Sequence, residues 1–413
     1  MTEALFDAEQ LKRQLRRSER AKKVTAIALI APLFLYLIIN FIIPVGFMLF
    51  KSIDDRDVKT VLPRTTMALS EWDSVGVPGE AAFDALVADL REAYVAKKHS
   101  VAAKRLNTAQ RGFQGLISTT VRRLPATDSV SFKTALIEVD GRWGQHEYWT
   151  AIKRATSSRF TLIYLLSAFD LTVDSEGRIV QVPSYMRLFN TVWLRTFWIS
   201  LVITVVCIVL GYPLAYLMAN APTKVSNLLM ILVLLPFWTS LLVRTTAWVV
   251  LLQTQGVVND FAIYLYLWTE RLQLIHNRIG VYVAMIHILI PYMVLPLFGT
   301  MRRISPSHIR AAKSLGANPL VAFMKVYLPQ TVHGIGVGSL FVYVLALGFW
   351  VTPALVGGRN DQMISYFVAF YTNETLDWSA AAALSAILLL LTGIVFYVFK
   401  VVFRLGKMQM QLR

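Results

Sequence analysis

Arg244 carries a permanent charge within the apolar stretch Leu228 to Leu252, and it is the only charge well inside any such stretch of the chain. Lipid cannot solvate a guanidinium, so an ionisable group at membrane depth faces a water-filled cavity or a polar partner. Two roles follow. As a structural group it pairs with backbone carbonyls or an acid and locks helices together, the commoner use of a buried charge. As a contact group it receives a carboxylate in transit. A second kind of chemistry lies nearby: Trp238, Trp248, Tyr343, Trp350 and Tyr366 offer aromatic faces, and Asp260, Glu270, Asp361, Glu374 and Asp377 fall between apolar stretches. Such faces and carboxylates hold ammonium ions without trapping them. Singly, most of these aromatics serve packing or the membrane boundary, and His287 reads first as a packed, hydrogen-bonded histidine. As a set, Trp238, Arg244, Trp248, Tyr343, Trp350, Asp361 and Tyr366 are the candidate translocation path.

Groups of this kind need helices to carry them across a bilayer, and the composition supplies them. The 413 residues are 56% hydrophobic and 16% charged, with a mean hydropathy of +0.54. This is the profile of an all-α polytopic membrane protein with one sizeable polar part. A net charge of +16 would suggest nucleic acid in a soluble chain, but here the basic residues border apolar stretches. Membrane orientation accounts for them, so lipid is expected as a partner and nucleic acid is not. The single cysteine, Cys207, excludes an intrachain disulfide and a cysteine-rich metal site. Neither a Gly-rich nucleotide loop nor a His-Glu metal motif is present. No catalytic residue, metal or cofactor is therefore expected on this chain, and any ATP and magnesium would bind another subunit.

Residues 1–23 form a basic tail with Lys12, Arg13, Arg16, Arg17, Arg20, Lys22 and Lys23, and with Leu11 and Leu15 at helical spacing. Next to a span this is a topology signal, placing the tail in the cytoplasm. Residues 24–50 are long enough for a first transmembrane helix, with Pro32 and Pro44 as kink points. Residues 51–186 change character, with 18 basic against 16 acidic side chains, and read as a soluble insertion domain. Phe83, Leu86, Val87, Leu90, Tyr94, Val101 and Leu106 recur near helical spacing, and a second helical stretch runs from Tyr148 to Phe169. Five further spans are expected within a core at 187–403: Leu188 to Met218, Leu228 to Leu252, Ile279 to Thr300, Val332 to Val356 and Ala380 to Phe399. A basic tail at 404–413 closes the chain. Six spans return both termini to the cytoplasm and leave the insertion outside it.

Between the fourth and fifth spans lies a polar segment, residues 302–331. Ser305 can cap a helix with Pro306 in its first turn, and Gly316 stands where a left-handed residue would end it. Asn318 and Pro319 restart a helix carrying Leu320, Phe323, Met324 and Tyr327 on one side, with Pro329 expected to stop it. The segment resembles the cytoplasmic loop of the permease subunits of binding-protein-dependent ABC importers: Glu-Ala-Ala, three residues, Gly, nine residues, an aliphatic residue, any residue, Leu-Pro. Ala311, Ala312, Gly316, Val326, Leu328 and Pro329 fall on that spacing. Arg310 takes the place of the usual Glu, which reverses the charge but keeps the slim alanine-glycine shape. The runs from Leu235 to Trp248, LPFWTSLLVRTTAW, from Gly211 to Tyr216, GYPLAY, and from Gly357 to Asn360, GGRN, are similar to the spermidine/putrescine branch.

The resemblance implies a six-helix, type I importer permease in the bacterial inner membrane. It implies contact with cytoplasmic ABC ATPases through Arg310, Ala311, Ala312, Gly316, Val326, Leu328 and Pro329. It also implies a second permease, self or sister, and an extracytoplasmic substrate-binding protein. Polyamines are the expected substrate, with opines, amino acids or other small organic ions as the alternative. A membrane sensor with a ligand-binding insertion and a proton-coupled carrier are the rival classes, the latter weakened by the scarcity of acids inside the spans. Gly334, Gly336, Gly338, Gly348 and Pro353 suggest close helix approach and a bendable fifth span.

Overall fold

A computed structural model describes residues 19, 22–125, 131–174 and 177–411. Leu11, Lys12, Arg13, Leu15, Arg16, Arg17, Arg20 and Arg413 lie outside the described residues. The first span, α1 (Lys22–Lys51), is apolar, and none of its residues is buried. Its Pro44 follows a π-turn, Ile38–Ile42, in which the Ile43 amide reaches back to the carbonyl of Ile38. A proline ring collides with the carbonyl four residues earlier, and the wider turn relieves this. Pro32 sits in regular helix.

The insertion is a helical bundle: α2 (Arg56–Val61), α3 (Pro63–Ser70), α4 (Glu80–Val95), α5 (His99–Ala109), α6 (Phe113–Arg122), α7 (Phe132–Val139), α8 (His146–Ser157) and α9 (Ile163–Ser167). Two short antiparallel strands follow, β1 (Leu171–Val173) and β2 (Ile179–Gln181). Phe83, Leu86, Val87, Leu90 and Leu106 face the core as their spacing predicts, whereas Tyr94 and Val101 are exposed. The stretch predicted from Tyr148 to Phe169 is two helices, α8 and α9, separated by an extended turn. Trp143 and Trp149 fill the centre of the bundle. Their indole N–H groups donate to Thr120 Oγ1 and to the Trp143 carbonyl, both at 2.8 Å, so burial leaves neither unpaired.

The two ends of the bundle are tied at its base. The Asp55 amide donates to the Arg159 carbonyl at 2.9 Å and the Thr161 amide to the Ile53 carbonyl at 2.8 Å. Beside this bridge the buried Arg105 guanidinium grips both Asp55 oxygens and lies 5.5 Å from the centre of the Tyr164 ring. Burial pushes the Tyr164 phenol up, keeping it neutral. Farther out, the Arg142 guanidinium holds the Asp140 carboxyl below its ordinary range.

The bundle also grips the core. Lys104 donates to the Thr375 carbonyl, Ile163 and Tyr164 pack on Ala383, and Trp193 donates to the Ala168 carbonyl at 2.9 Å. Asp170, with φ of +57°, receives the amides of Leu188, Phe189 and Asn190 at 2.9, 3.0 and 2.8 Å, capping the next span.

That span is α10 (Phe189–Asn220), and it packs with α14 (Arg278–Met301) and α16 (Pro319–Gly348) to form the centre of the core. Gly338 lets α16 close on α14: a Cβ there would stand 2.8 Å from Met293 Sδ and 3.1 Å from its carbonyl. Gly334 admits Thr300 in the same way, whereas Gly348 has open space around it. The remaining core elements are α11 (Thr223–Leu234), α12 (Leu241–Leu252), α13 (Val257–Tyr264), α15 (Pro306–Ser314), α17 (Val351–Val356), α18 (Ile364–Asn373) and α19 (Trp378–Gln411).

Three expectations are corrected. The third span is not one rod: α11 and α12 meet at an angle of 99°, because Pro236 ends regular helix and Ser240 caps a new one. The fifth span does not start at Val332 or end at Val356. It begins at Pro319 and runs through Pro329, which a second π-turn, Phe323–Tyr327, accommodates as the first does Pro44. It stops at Gly348, and α17 is separate. The last helix continues beyond Phe399 to Gln411.

Replacing Arg105 by Met leaves Asp55 buried without its partner, at a cost of about 3–5 kcal/mol. Hydrogen exchange of the full chain should then show early loss of protection at 53–55 and 159–161. The double variant Asp55→Leu, Arg105→Met should lose much less.

Candidate translocation path and coupling surface

Inside the membrane the most irregular place is the junction between α11 and α12. Leu235–Trp238 form a single tight turn, Thr239 is extended, and the Ser240 hydroxyl accepts the Val243 amide at 3.2 Å. A break of this kind frees carbonyls that lipid cannot satisfy. Arg244, one turn into α12, satisfies them: its guanidinium donates to the Pro236 carbonyl, to the Thr239 carbonyl at 3.0 Å and to Thr239 Oγ1 at 3.4 Å. The planar fork fits this task, since one group must reach several acceptors in fixed directions.

Around the break stands a cluster drawn from three elements. Phe237 meets the Tyr292 ring edge-on at 5.2 Å between centres. Trp248 donates its indole N–H to His287 Nδ1 at 3.1 Å, so that nitrogen carries no proton. Thr245 and Thr352 share a hydrogen bond at 3.1 Å, joining α12 to α17. Trp238 is exposed at the bend, and Trp350 is exposed just ahead of α17.

The other expected path residues lie apart from this cluster. Tyr343 packs against Phe399 with ring centres 6.5 Å apart, and Tyr366 stacks on Phe370 at 6.3 Å. Asp361 is buried and already engaged, accepting from Arg278 at 3.0 Å and from the Gly358 amide at 3.2 Å. It holds the Gly357–Gly358 turn against the start of α14, where a Cβ on Gly358 would meet the His276 carbonyl at 2.7 Å. Of the remaining acids, Asp260 pairs with Arg271 at 2.7 Å and Asp377 caps α19 at the Ala380 amide, 3.1 Å away, while Glu270 and Glu374 are exposed. Phe237, Tyr292 and Thr352 join the cluster although their spacing gives no sign of it. Their polar or aromatic character amid apolar neighbours was the only available signal.

At the opposite end of α14 the polar segment folds as a helix, a tight turn and a second helix. Ser305 accepts the Ser307 amide at 3.3 Å and Pro306 opens α15. Gly316 takes φ of +88°, its amide donating to the Lys313 carbonyl at 3.0 Å while the Ala317 amide reaches Ala312 at 3.1 Å. This paired closure needs a left-handed residue. Asn318 then accepts the Val321 amide at 2.8 Å and restarts the helix into α16.

The segment is rooted in the core. His308 Nδ1 lies 3.0 Å from Gln330 Oε1, and Phe323 and Tyr327 stack on each other at 5.6 Å between centres. Tyr216 meets both rings edge-on, and Tyr212 shares a hydrogen bond with Thr331 at 3.2 Å. Outward it shows Arg310, Ala311 and Gly316, with the bare apolar side chains Leu315, Leu320 and Met324 around them. Ala312, Val326, Leu328 and Pro329 are half-buried.

Residues 211–405 match the family of binding-protein-dependent transport system inner membrane components. The spermidine/putrescine transport system permease protein PotB of Escherichia coli (strain K12) is 31% identical over 228 residues, covering 55% of this chain and 81% of that one. The inner membrane ABC transporter permease protein YdcU of the same organism is 31% identical over 207 residues, covering 47% and 66%. The molybdenum transport system permease protein ModB of Mycobacterium bovis is 28% identical over 193 residues, covering 46% and 71%. A solved bacterial alginate ABC transporter is a distant structural likeness, with a TM-score of 0.42 and 16% identity over 52% of this chain and 78% of that one. With five helices among the described residues long and apolar enough to span a bilayer, a sixth such segment bent at its middle, and the match to the PotB permease, this chain belongs to the inner-membrane permeases of binding-protein-dependent ABC importers, in their spermidine/putrescine branch.

Proposed function

We propose that this permease forms the membrane path of an ATP-driven importer of polyamines. The similarity to spermidine/putrescine permeases over four-fifths of their length carries the reading. The geometry of Arg244 supports it against carboxylate substrates such as opines and amino acids, because its guanidinium donates to groups at the break in its own span. A cation fixed in this way preserves the fold of the path, and Trp238, Trp248 and Trp350 supply aromatic faces toward which an ammonium group can turn.

In this reading residues 302–331 dock on the ATPases, with the basic tails and this segment in the cytoplasm and the insertion outside. Leu315, Leu320 and Met324 offer apolar contact, and Arg310 offers a positive charge where relatives of the motif offer a negative one. The aromatic stack at Phe323 and Tyr327 would transmit ATPase closure into α10 and α16 as a rigid-body movement. No covalent step is required of this chain; a second permease completes the path, and a binding protein delivers the substrate.

Purification of the tagged chain from its native membrane should bring down an ABC ATPase and a second permease. Cells carrying the system should take up labelled spermidine or putrescine, competed by polyamines and not by opines or amino acids; the reverse competition pattern would sink the polyamine reading. Leu315→Asp combined with Leu320→Asp should leave the chain in the membrane while weakening ATPase association by roughly a hundred- to ten-thousandfold, given about 1.5–3 kcal/mol for each of the two leucines buried on docking. Arg244→Met should slow uptake without changing the order of competitors, and Arg244→Lys should restore little, since an ammonium lacks the planar fork. A changed order of competitors in either variant would mark Arg244 as a substrate contact instead.

A further inference from the structure

The short helix α13 lies between the third and fourth spans, on the membrane face opposite the coupling segment, and it turns a run of large apolar and aromatic side chains outward. Of its residues Asn259 and Asp260, the first is fully buried, at 0% exposure, and the second is exposed at the edge of that outward face. The Asn259 side chain donates from Nδ2 to the carbonyls of Gln253, Thr254 and Leu272 at 3.2, 3.2 and 2.8 Å, and its Oδ1 accepts the Leu272 backbone amide at 3.0 Å. Val257, Phe261 and Tyr264 follow one another at four and three residues and so share a face. They are 61, 61 and 78% exposed, and the chain continues through exposed Tyr266 and Leu267. A helix on a water-facing surface shows the opposite arrangement.

We propose that α13 lies in the lipid headgroup layer, with Val257, Phe261 and Tyr264 turned toward the acyl chains, and anchors the far end of the broken third span. Three observations select lipid as the occupant rather than a protein. The helix hangs between the end of α12 and the start of α14, two membrane-crossing segments, which hold it at the depth where they leave the bilayer. The segments on either side of it carry exposed apolar residues too, Val243 and Val250 of α12 and Ile279 of α14, which in a membrane-spanning chain are turned toward lipid. Its outermost side chains, Tyr264 and Tyr266, combine an apolar ring with a hydroxyl, the character selected at membrane boundaries.

The anchor has a mechanical consequence. The half-span α12 has 12 residues, about 18 Å of helix, too short to fix its own depth in a hydrocarbon core of about 30 Å. Arg244 secures its inner end to the break and α13 secures its outer end to the lipid surface. The pair Asp260–Arg271, at 2.7 Å, ties α13 to the chain that returns toward α14.

The test uses the full chain in lipid nanodiscs together with whatever subunits co-purify. The only cysteine, Cys207, is buried, so Phe261→Cys can be labelled alone with an environment-sensitive fluorophore. Tyr264→Cys serves as a second site, should the first disturb folding, and Glu270→Cys as an exposed reference. The probes at 261 and 264 should emit at shorter wavelength than the reference. They should lose most of their emission to nitroxides carried near the head of the acyl chain and little to aqueous iodide, whereas the reference should show the reverse. Quenching by iodide at 261 and 264 equal to that of the reference would overturn the proposal in favour of a water-exposed loop. Protection from both quenchers would overturn it in favour of a covering protein subunit.

Discussion

Inside a bilayer no water is available to satisfy backbone N–H and C=O groups, and this constraint governs the whole permease core. A continuous helix meets it automatically. Every departure from one must be compensated by a specific group, and the departures here coincide with the features of interest. At Pro44 and Pro329 a π-turn absorbs the proline and the helix continues. At Pro236 it does not, and the freed carbonyls are taken up by Arg244 from the following half-helix. The charge that looks most anomalous in the sequence is thus the consequence of a break four to eight residues earlier in the chain.

The same constraint makes small residues decisive in the core. With lipid as apolar as any leucine, helices associate through close packing rather than expulsion of water. Gly338 and Gly334 on α16 bring it against Met293 and Thr300 of α14, and Gly211 of α10 meets the other side of Met293. The polar segment 302–331 is continuous with this packed centre. The helix that leaves it, from Pro319, is the fifth span itself, and the rings of Tyr216, Phe323 and Tyr327 wedge it against α10.

The insertion obeys the rules of water-soluble folding, with two buried tryptophans, satisfied indoles and a closed base where residues 53–55 meet 159–161. It is joined to the core at several points, through Ile163 and Tyr164 with Ala383, Lys104 with Thr375, and Asp170 at the start of α10. It lies outside the residues that match the family, yet it is fastened to the last span and to the loop that precedes it.

What the sequence determined by itself was local or compositional. Span number, the helical character of the insertion, the caps at Ser305 and Asn318 and the left-handed turn at Gly316 all depend on residues a few positions apart, and such signals survive in one dimension. The buried set Phe83, Leu86, Val87, Leu90 and Leu106 was legible for the same reason. Tertiary structure alone decided the rest. Proline at 32, 44, 236 and 329 looks alike in sequence, but only the surroundings decide between regular helix, a π-turn and a bend of 99°. Asp361 looked available until Arg278 and the Gly358 amide, brought together by the packing of α14 on the glycine turn, engaged it. Tyr292, His287 and Thr352 joined Arg244 and Trp248 only because three elements distant in sequence meet at one depth. Those contacts depend on helix crossing and register, which hydrophobic pattern constrains weakly when nearly every position is apolar.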